Sequence, residues 1–265
     1  MKSKNPQFPD YVLRDLEANN GLNFAIALAR ITGWLLHIDW WTPTDDQEIA
    51  ENMKLLRVYV GNNSNQIYDL KGKHTITTFK MSIIDPILKK RGAPYGGLLT
   101  RYYSEESIFA LPLKVKPDEG RIKAAEKIIN EHKDFLEKIP KRQMPNIPAH
   151  IAADFTFGLC NPFATALSEL KGYKPIAMIA KEYNPSFKLT KPGYVHSFNF
   201  DNSGNALDVW GIDSIENIAS RFGITRYELD EEEHLMVAQR LKRNTPEKYE
   251  DAYKKSVEII REYFL

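Results

Sequence analysis

Shifted against itself by 139 residues, the 265-residue chain lines up without a gap at several separated places. Pro6, Pro9 and Asp15 fall on Pro145, Pro148 and Asp154. Phe24, Ala25, Ala27, Leu28 and Gly33 fall on Phe163, Ala164, Ala166, Leu167 and Gly172. Asn63, Ser64, Asp69 and Gly72 fall on Asn202, Ser203, Asp208 and Gly211. A single offset that keeps the order of so many matches reads as an internal duplication. That constrains the fold strongly, because whatever one half forms the other forms too. Past Gly72 the offset slips, yet Leu99–Tyr103 (LTRYY) still echoes Ile224–Glu228 (ITRYE), and each half ends in a charged amphipathic helix, about 118–138 and 246–264. Two similar lobes follow, roughly 1–140 and 141–265.

Each lobe opens with a Pro-x-x-Pro segment, then a helix (about 23–32 and 162–171), an extended stretch and a hairpin. In the second lobe Phe163, Ala166, Leu167 and Leu170 recur at helical spacing and form one buried face. Asn161 suits the N-cap, Pro162 the first helical position and Gly172 the stop. The hairpins are LRVYV–GNNSN–QIYDL and YVHSFNF–DNSG–NALDVWG, alternating runs around Asn/Asp/Ser/Gly turns. The first lobe adds HIDWWTPTDDQEIAENMKLL, with an extra short helix capped near Thr44; the second has the loop KEYNPSFKLTKPG. Residues Glu231 to Leu265 read as helical, with Thr245-Pro246 as an N-cap and first turn. Tyr249, Ala252, Tyr253, Val257, Ile260 and Phe264 form a face packed against the sheet. The expected fold is α+β: two similar lobes, each a helix on a small antiparallel sheet with flanking helices.

Composition narrows the function. Hydrophobic residues at 43% supply a core, and a net charge of +1 argues against a dedicated nucleic-acid binder or a polybasic membrane anchor. One cysteine excludes an internal disulfide and a cysteine-based metal cluster. The sequence starts without an apolar signal region and no run is long enough to span a membrane, so a cytoplasmic protein is expected. Export without a cleavable signal, as an effector or toxin, would leave no mark. HExxH, paired CxxC, GxxxxGK[ST] and GxGxxG are all missing, and no cofactor is expected. Gly92–Gly97 reads as a turn, and Leu229–Glu233 as the acidic start of a helix. His37 and Asp39 alternate onto one strand face, but spacing gives them no third ligand.

The candidate chemistry lies in three residues. Cys160, the lone cysteine, precedes the second lobe's helix, where the positive end of the dipole favours thiolate. A thiolate attacks a carbonyl carbon and leaves again after acyl transfer. His196 would take the thiol proton and return it to the leaving group, and Asp208 would orient the imidazole and stabilise its cation. The pair sits directly opposite across the hairpin if the loop has three or five residues; a two- or four-residue loop puts His196 opposite Val209. In the first lobe the same positions hold Gly21, Arg57 and Asp69. That copy lacks the thiol and the base, and an Arg57–Asp69 salt bridge is expected in place of a His–Asp pair. Simpler roles compete: a buried apolar cysteine, a satisfied strand histidine, and an aspartate bonding the turn backbone. The match of Asp208 with Asp69 favours the last of these.

A cysteine opening a helix of the FAxALxxLxGY type, then a strand histidine, then a strand aspartate, resembles the transglutaminase-like and papain-like thiol superfamily. The short spacings are similar to its transglutaminase-like and NlpC/P60-like branches. The resemblance covers Gly158 to Gly211. It implies a helix on an antiparallel sheet, a Cys160–His196–Asp208 triad, and cleavage or exchange at an amide of a protein or peptide substrate (peptidase, amidase, deamidase or acyl transferase). A degenerate N-terminal copy would shape the cleft or bind substrate. An oxyanion donor upstream of the cysteine is not evident: Asp154 is an acceptor when ionised. The backbone N–H of Cys160 and the amide of Asn161 remain open as donors. The alternative is a catalytically silent binding or regulatory protein that keeps the fold.

Overall fold

The structure, a computed structural model, describes residues 8–42, 53–90, 97–185 and 191–264. Contacts divide the chain into Met1–Lys141 and Arg142–Leu265. The first unit runs α1 (Asp10–Leu16), α2 (Leu22–Thr32), β1 (Leu35–Thr42), β2 (Lys54–Gly61), β3 (Gln66–Asp69) and β4 (Gly72–Thr75). There follow α3 (Ile76–Phe79) and α4 (Asp85–Lys90), joined by a π-helical turn, then β5 (Gly97–Tyr103), α5 (Glu105–Ala110), α6 (Glu119–Glu131) and α7 (Lys133–Leu136). The second unit runs α8 (Ala149–Thr156), α9 (Cys160–Lys171), β6 (Lys174–Tyr183), β7 (Gly193–Phe200), β8 (Ala206–Asp208) and β9 (Gly211–Ile212). It closes with α10 (Ile215–Arg221), β10 (Ile224–Asp230), α11 (Glu231–Asn244) and α12 (Pro246–Tyr263). The protein is α+β, with two antiparallel five-stranded sheets flanked by helices.

The sheet orders are β4-β3-β2-β1-β5 and β10-β6-β7-β8-β9, one order read in opposite directions. Adding 139 to the bounds of β2 gives those of β7. The hairpins share a register: Val60 pairs with Tyr68, and Asn199 with Leu207. Their turns are built by the same side chain. Asn62 Oδ1 accepts from the backbone of Ser64 and Gln66 (3.0 and 2.9 Å). Asp201 Oδ1 accepts from Ser203 and Asn205 (2.9 and 2.8 Å). Such Asx turns hold the backbone locally and set the pairing. The duplication is therefore legible down to single hydrogen bonds.

Each unit has a central helix. α2 packs on β2 and α6, and α9 packs on β7 and α12. On α2 the residues Leu22, Phe24, Ala25, Ile26, Ala27 and Leu28 are all buried, which suits a helix covered on two sides. On α9 Phe163, Ala164, Ala166 and Leu167 are buried, and the larger two contribute about 1.5–3 kcal/mol each. Gly33 and Gly172 end these helices at φ 69° and 71°, a conformation that glycine takes without strain. Below the sheet of the second unit, Met178, Phe198, Ile218 and Phe222 form a separate core with α10.

Three expectations are corrected. Asn161 is not the N-cap: α9 begins at Cys160, and Phe163 N donates to Leu159 O. The Asn161 amide is drawn instead to Ser197 and His234. α12 packs on α9 and α11, where a sheet contact was expected; its buried side chains are Tyr249, Ala252, Ser256, Ile259 and Ile260. The hairpin has five loop residues between Phe200 and Ala206, but they are centred one residue later than direct opposition requires. Continued by one step, that register sets Asp208 across from Phe198, diagonal to His196. The helix expected near Thr44, the segment 91–96, part of the Lys181–Gly193 loop and Pro6 lie outside the described residues.

Candidate active site

The three residues singled out in the sequence lie on α9, β7 and the end of β8. Gly158, at φ 89°, turns the chain into α9, so Cys160 occupies the helix's first turn. Asn199 Nδ2 donates to Ala164 O (3.0 Å) and ties β7 to the helix above it. A bulge between Met178 and Ile179 pairs His196 with one and Tyr194 with the other, which alters the alternation of β7 at this point.

His196 Nε2 lies 3.0 Å from Asp208 Oδ2, and both side chains are buried. Asp208 Oδ2 also accepts from Arg221 Nη1 (2.7 Å), and its Oδ1 accepts from Trp210 N (2.9 Å). Arg221 Nη2 reaches Asp213. The other ring nitrogen of His196, Nδ1, is buried without a well-formed hydrogen bond. Since Nε2 is taken by Asp208, Nδ1 is the ring nitrogen left for the thiol. Cys160 itself is 5% exposed, and its Sγ lies 3.4 Å from Tyr194 Oη.

The electrostatics favour an ion pair. Burial pushes the Cys160 thiol up. The charge and side chain of His196 and the Tyr194 hydroxyl outweigh burial and leave the thiol below its ordinary value. Burial pushes His196 down, but the Cys160 charge and the Asp208 hydrogen bond raise it to about 9. Burial also works against the Asp208 carboxylate, and the Arg221 charge with the His196 hydrogen bond carries it down to about 2. The shifts of thiol, imidazole and carboxyl all favour charges that alternate along the row to the Arg221 guanidinium, the arrangement that a buried set of four needs.

A second polar chain runs beside the first. Tyr194 Oη meets Ser197 Oγ (3.0 Å), which meets His234 Nδ1 (3.0 Å), and His234 Nε2 meets Thr165 Oγ1 (3.2 Å). Asn161 Nδ2 donates to His234 O (3.1 Å). Asn161 is thereby consumed inside the fold, which removes its amide as an oxyanion donor. Burial holds His234 down, to about 4, so it is neutral. Sequence reasoning missed Tyr194, Ser197, Arg221 and His234. Only Tyr194 carried a signal, lying two residues before His196.

The first unit repeats the frame without the chemistry. Arg57 Nη2 meets Asp69 Oδ2 at 2.7 Å, the expected salt bridge, and His74 Nε2 sits 3.2 Å from Oδ1. Asp69 Oδ1 accepts from Lys71 N (2.8 Å), as Asp208 accepts from Trp210. Gly21 stands at φ 79°, and a Cβ there would lie 3.4 Å from Val58 O and 3.7 Å from Arg57 Cζ. The contacts are ordinary, but the left-handed conformation strains any side chain there.

Elsewhere, Asp39 accepts from Tyr59 and Thr100, and His37 stacks on Tyr59. Among the described residues no cluster suits a metal ion, and no helix is long and apolar enough to cross a membrane. Compared with protein-family models, curated proteins and solved structures, the chain matches none.

Proposed function

We propose that the second unit is a thiol-dependent hydrolase or acyl transferase acting on the amide bond of a protein or peptide. Cys160 Sγ attacks the carbonyl carbon, and the carbonyl π pair moves onto oxygen. The adduct collapses, the C–N bond breaks, and His196 gives its proton to the departing nitrogen. Water or an amine, deprotonated by His196, then releases the acyl group from sulfur. Asp208 keeps the imidazole oriented and its cation stable. The observation that carries this reading is the buried His196–Asp208 pair beside Cys160, with the thiol pulled down and the imidazole raised. No cofactor is called upon.

The test is acyl-enzyme formation. With p-nitrophenyl acetate, wild-type protein is expected to release one equivalent of nitrophenolate in a burst and to carry acetyl on Cys160. Cys160→Ser should lose the burst. A burst of equal size in Cys160→Ser would refute the assignment.

The 5% exposure of Cys160 favours a second reading, a binding protein in which both units are silent. It expects no acylation of wild type and a biological role that survives Cys160→Ser.

A further inference from the structure

An attacking thiolate places negative charge on the carbonyl oxygen, and catalysis of this kind depends on a donor aimed at that oxygen. Neither side chain near Cys160 in sequence supplies one. The Asn161 amide nitrogen is spent on His234 and Ser197, and Asp154 is a solvent-exposed carboxylate. One hydroxyl does reach the sulfur. We propose that Tyr194 is a further catalytic residue, whose O–H donates to the oxygen of the acyl group as Cys160 attacks it. This rests on the thiol reading above and deepens it.

Tyr194 Oη lies 3.4 Å from Cys160 Sγ. Two bonds separate Sγ from the oxygen of a tetrahedral adduct, so a donor touching Sγ is within reach of that oxygen. Tyr194 is half-buried, whereas Cys160, His196, Ser197 and His234 are buried.

The polar chain behind it fixes the direction of the hydroxyl. Thr165 Oγ1 donates to Asn161 O (2.9 Å) and so accepts from His234 Nε2 (3.2 Å). That puts the ring proton on Nε2 and leaves Nδ1 an acceptor. Asn161 Nδ2 also lies 3.2 Å from that nitrogen, but its two protons serve His234 O and Ser197 Oγ; Ser197 Oγ, at 3.0 Å, donates to the nitrogen and turns a lone pair to Tyr194 Oη. The Tyr194 proton then has two destinations, Ser197 or the site. It goes to the thiolate before attack and to the oxyanion during it, with no proton transferred. Burial, followed by the charge of Cys160, keeps the phenol well above its ordinary pKa, so it remains a donor throughout the working range.

Two reactions of one sulfur separate this role from others. Alkylation by iodoacetamide forms an S–C bond and expels iodide, with no charge on oxygen. Acylation by p-nitrophenyl acetate forms an S–C bond through an oxyanion and expels nitrophenolate. In Tyr194→Phe, acylation is expected to fall about 100-fold, the usual effect of removing one oxyanion donor, while alkylation changes less than about threefold. Equal retention of both rates would overturn the Tyr194 role and leave the thiol reading standing. Equal loss of both would overturn it too, since the hydroxyl would then act on the thiol alone. A wild-type Cys160 that neither alkylates nor acylates would sink the thiol reading itself.

Should Tyr194→Phe fail to fold, wild type alone can still overturn the proposal. The thionoester of the same probe weakens any hydrogen bond to the carbonyl position. Wild type is expected to prefer the oxygen ester at least 10-fold more than a free thiolate does. An equal preference overturns the proposal.

Discussion

Asp208 illustrates how one residue serves structure and chemistry with different atoms. Its Oδ1 closes the turn on Trp210 N, as Asp69 does on Lys71 N in the unit that lacks the thiol. Its Oδ2 faces His196 and Arg221. An aspartate at this position is therefore part of the shared frame; what differs is the strand histidine on its second oxygen, where the first unit has Arg57. Asp208→Asn should destabilise the protein by about 3 kcal/mol in urea, because it strips Arg221 and His196 of a buried counter-charge. The pH dependence follows from the same groups. The folded pKa of Asp208, about 2, lies below the ordinary 3.8, so its contribution is full above 3.8 and is lost as pH falls towards 2. The folded pKa of His196, about 9, lies above the ordinary 6.5, so its contribution is full below 6.5 and is lost as pH rises through 9. Urea midpoints measured across pH should fall off at both ends. Amide turnover should drop on the alkaline side near pH 9, where the imidazolium that protonates the leaving nitrogen disappears, while thiol alkylation should not.

At the scale of elements, the duplication made most of the fold legible. Helix α9, hairpin β7–β8 and the acidic start of α11 follow from spacing, caps and turn residues, all local signals. Non-local choices were not legible. The Asn161 side chain leaves its own helix for His234, 73 residues away, and only the folded chain shows that this partner exists. Arg221, on α10, reaches Asp208 from a helix whose sequence carries no catalytic pattern. The hairpin centre was missed by one residue because Asp201 starts its turn from the strand end, and a hairpin's register follows the turn. The entry to α2 differs between the copies. Gly21 takes a left-handed conformation where α9 has Cys160 in its first turn. Gly21→Ala should cost about 1 kcal/mol or more in urea unfolding, since a Cβ is strained at that φ. In a Cys160→Ser background, a Gly21→Cys, Arg57→His double variant should not regain the low-pH iodoacetamide reactivity of Cys160, because transplanting two residues does not transplant the backbone.

At the scale of the whole molecule, every group of the proposed site belongs to Arg142–Leu265: Cys160, Tyr194, His196, Asp208, Arg221 and His234. That unit also has its own core around Phe198 and Phe222. Residues 142–265 expressed alone should therefore keep the alkylation profile of Cys160 seen in the full chain. The most direct test of the central claim is the rate of Cys160 alkylation by iodoacetamide against pH, in wild type and in His196→Ala. If His196 holds the thiolate, the wild-type profile should rise well below the ordinary thiol pKa of about 8.5, and His196→Ala should move it above that value, since burial remains and the imidazole is gone. A wild-type thiol that stays unreactive, or whose profile is unchanged by His196→Ala, would contradict the account.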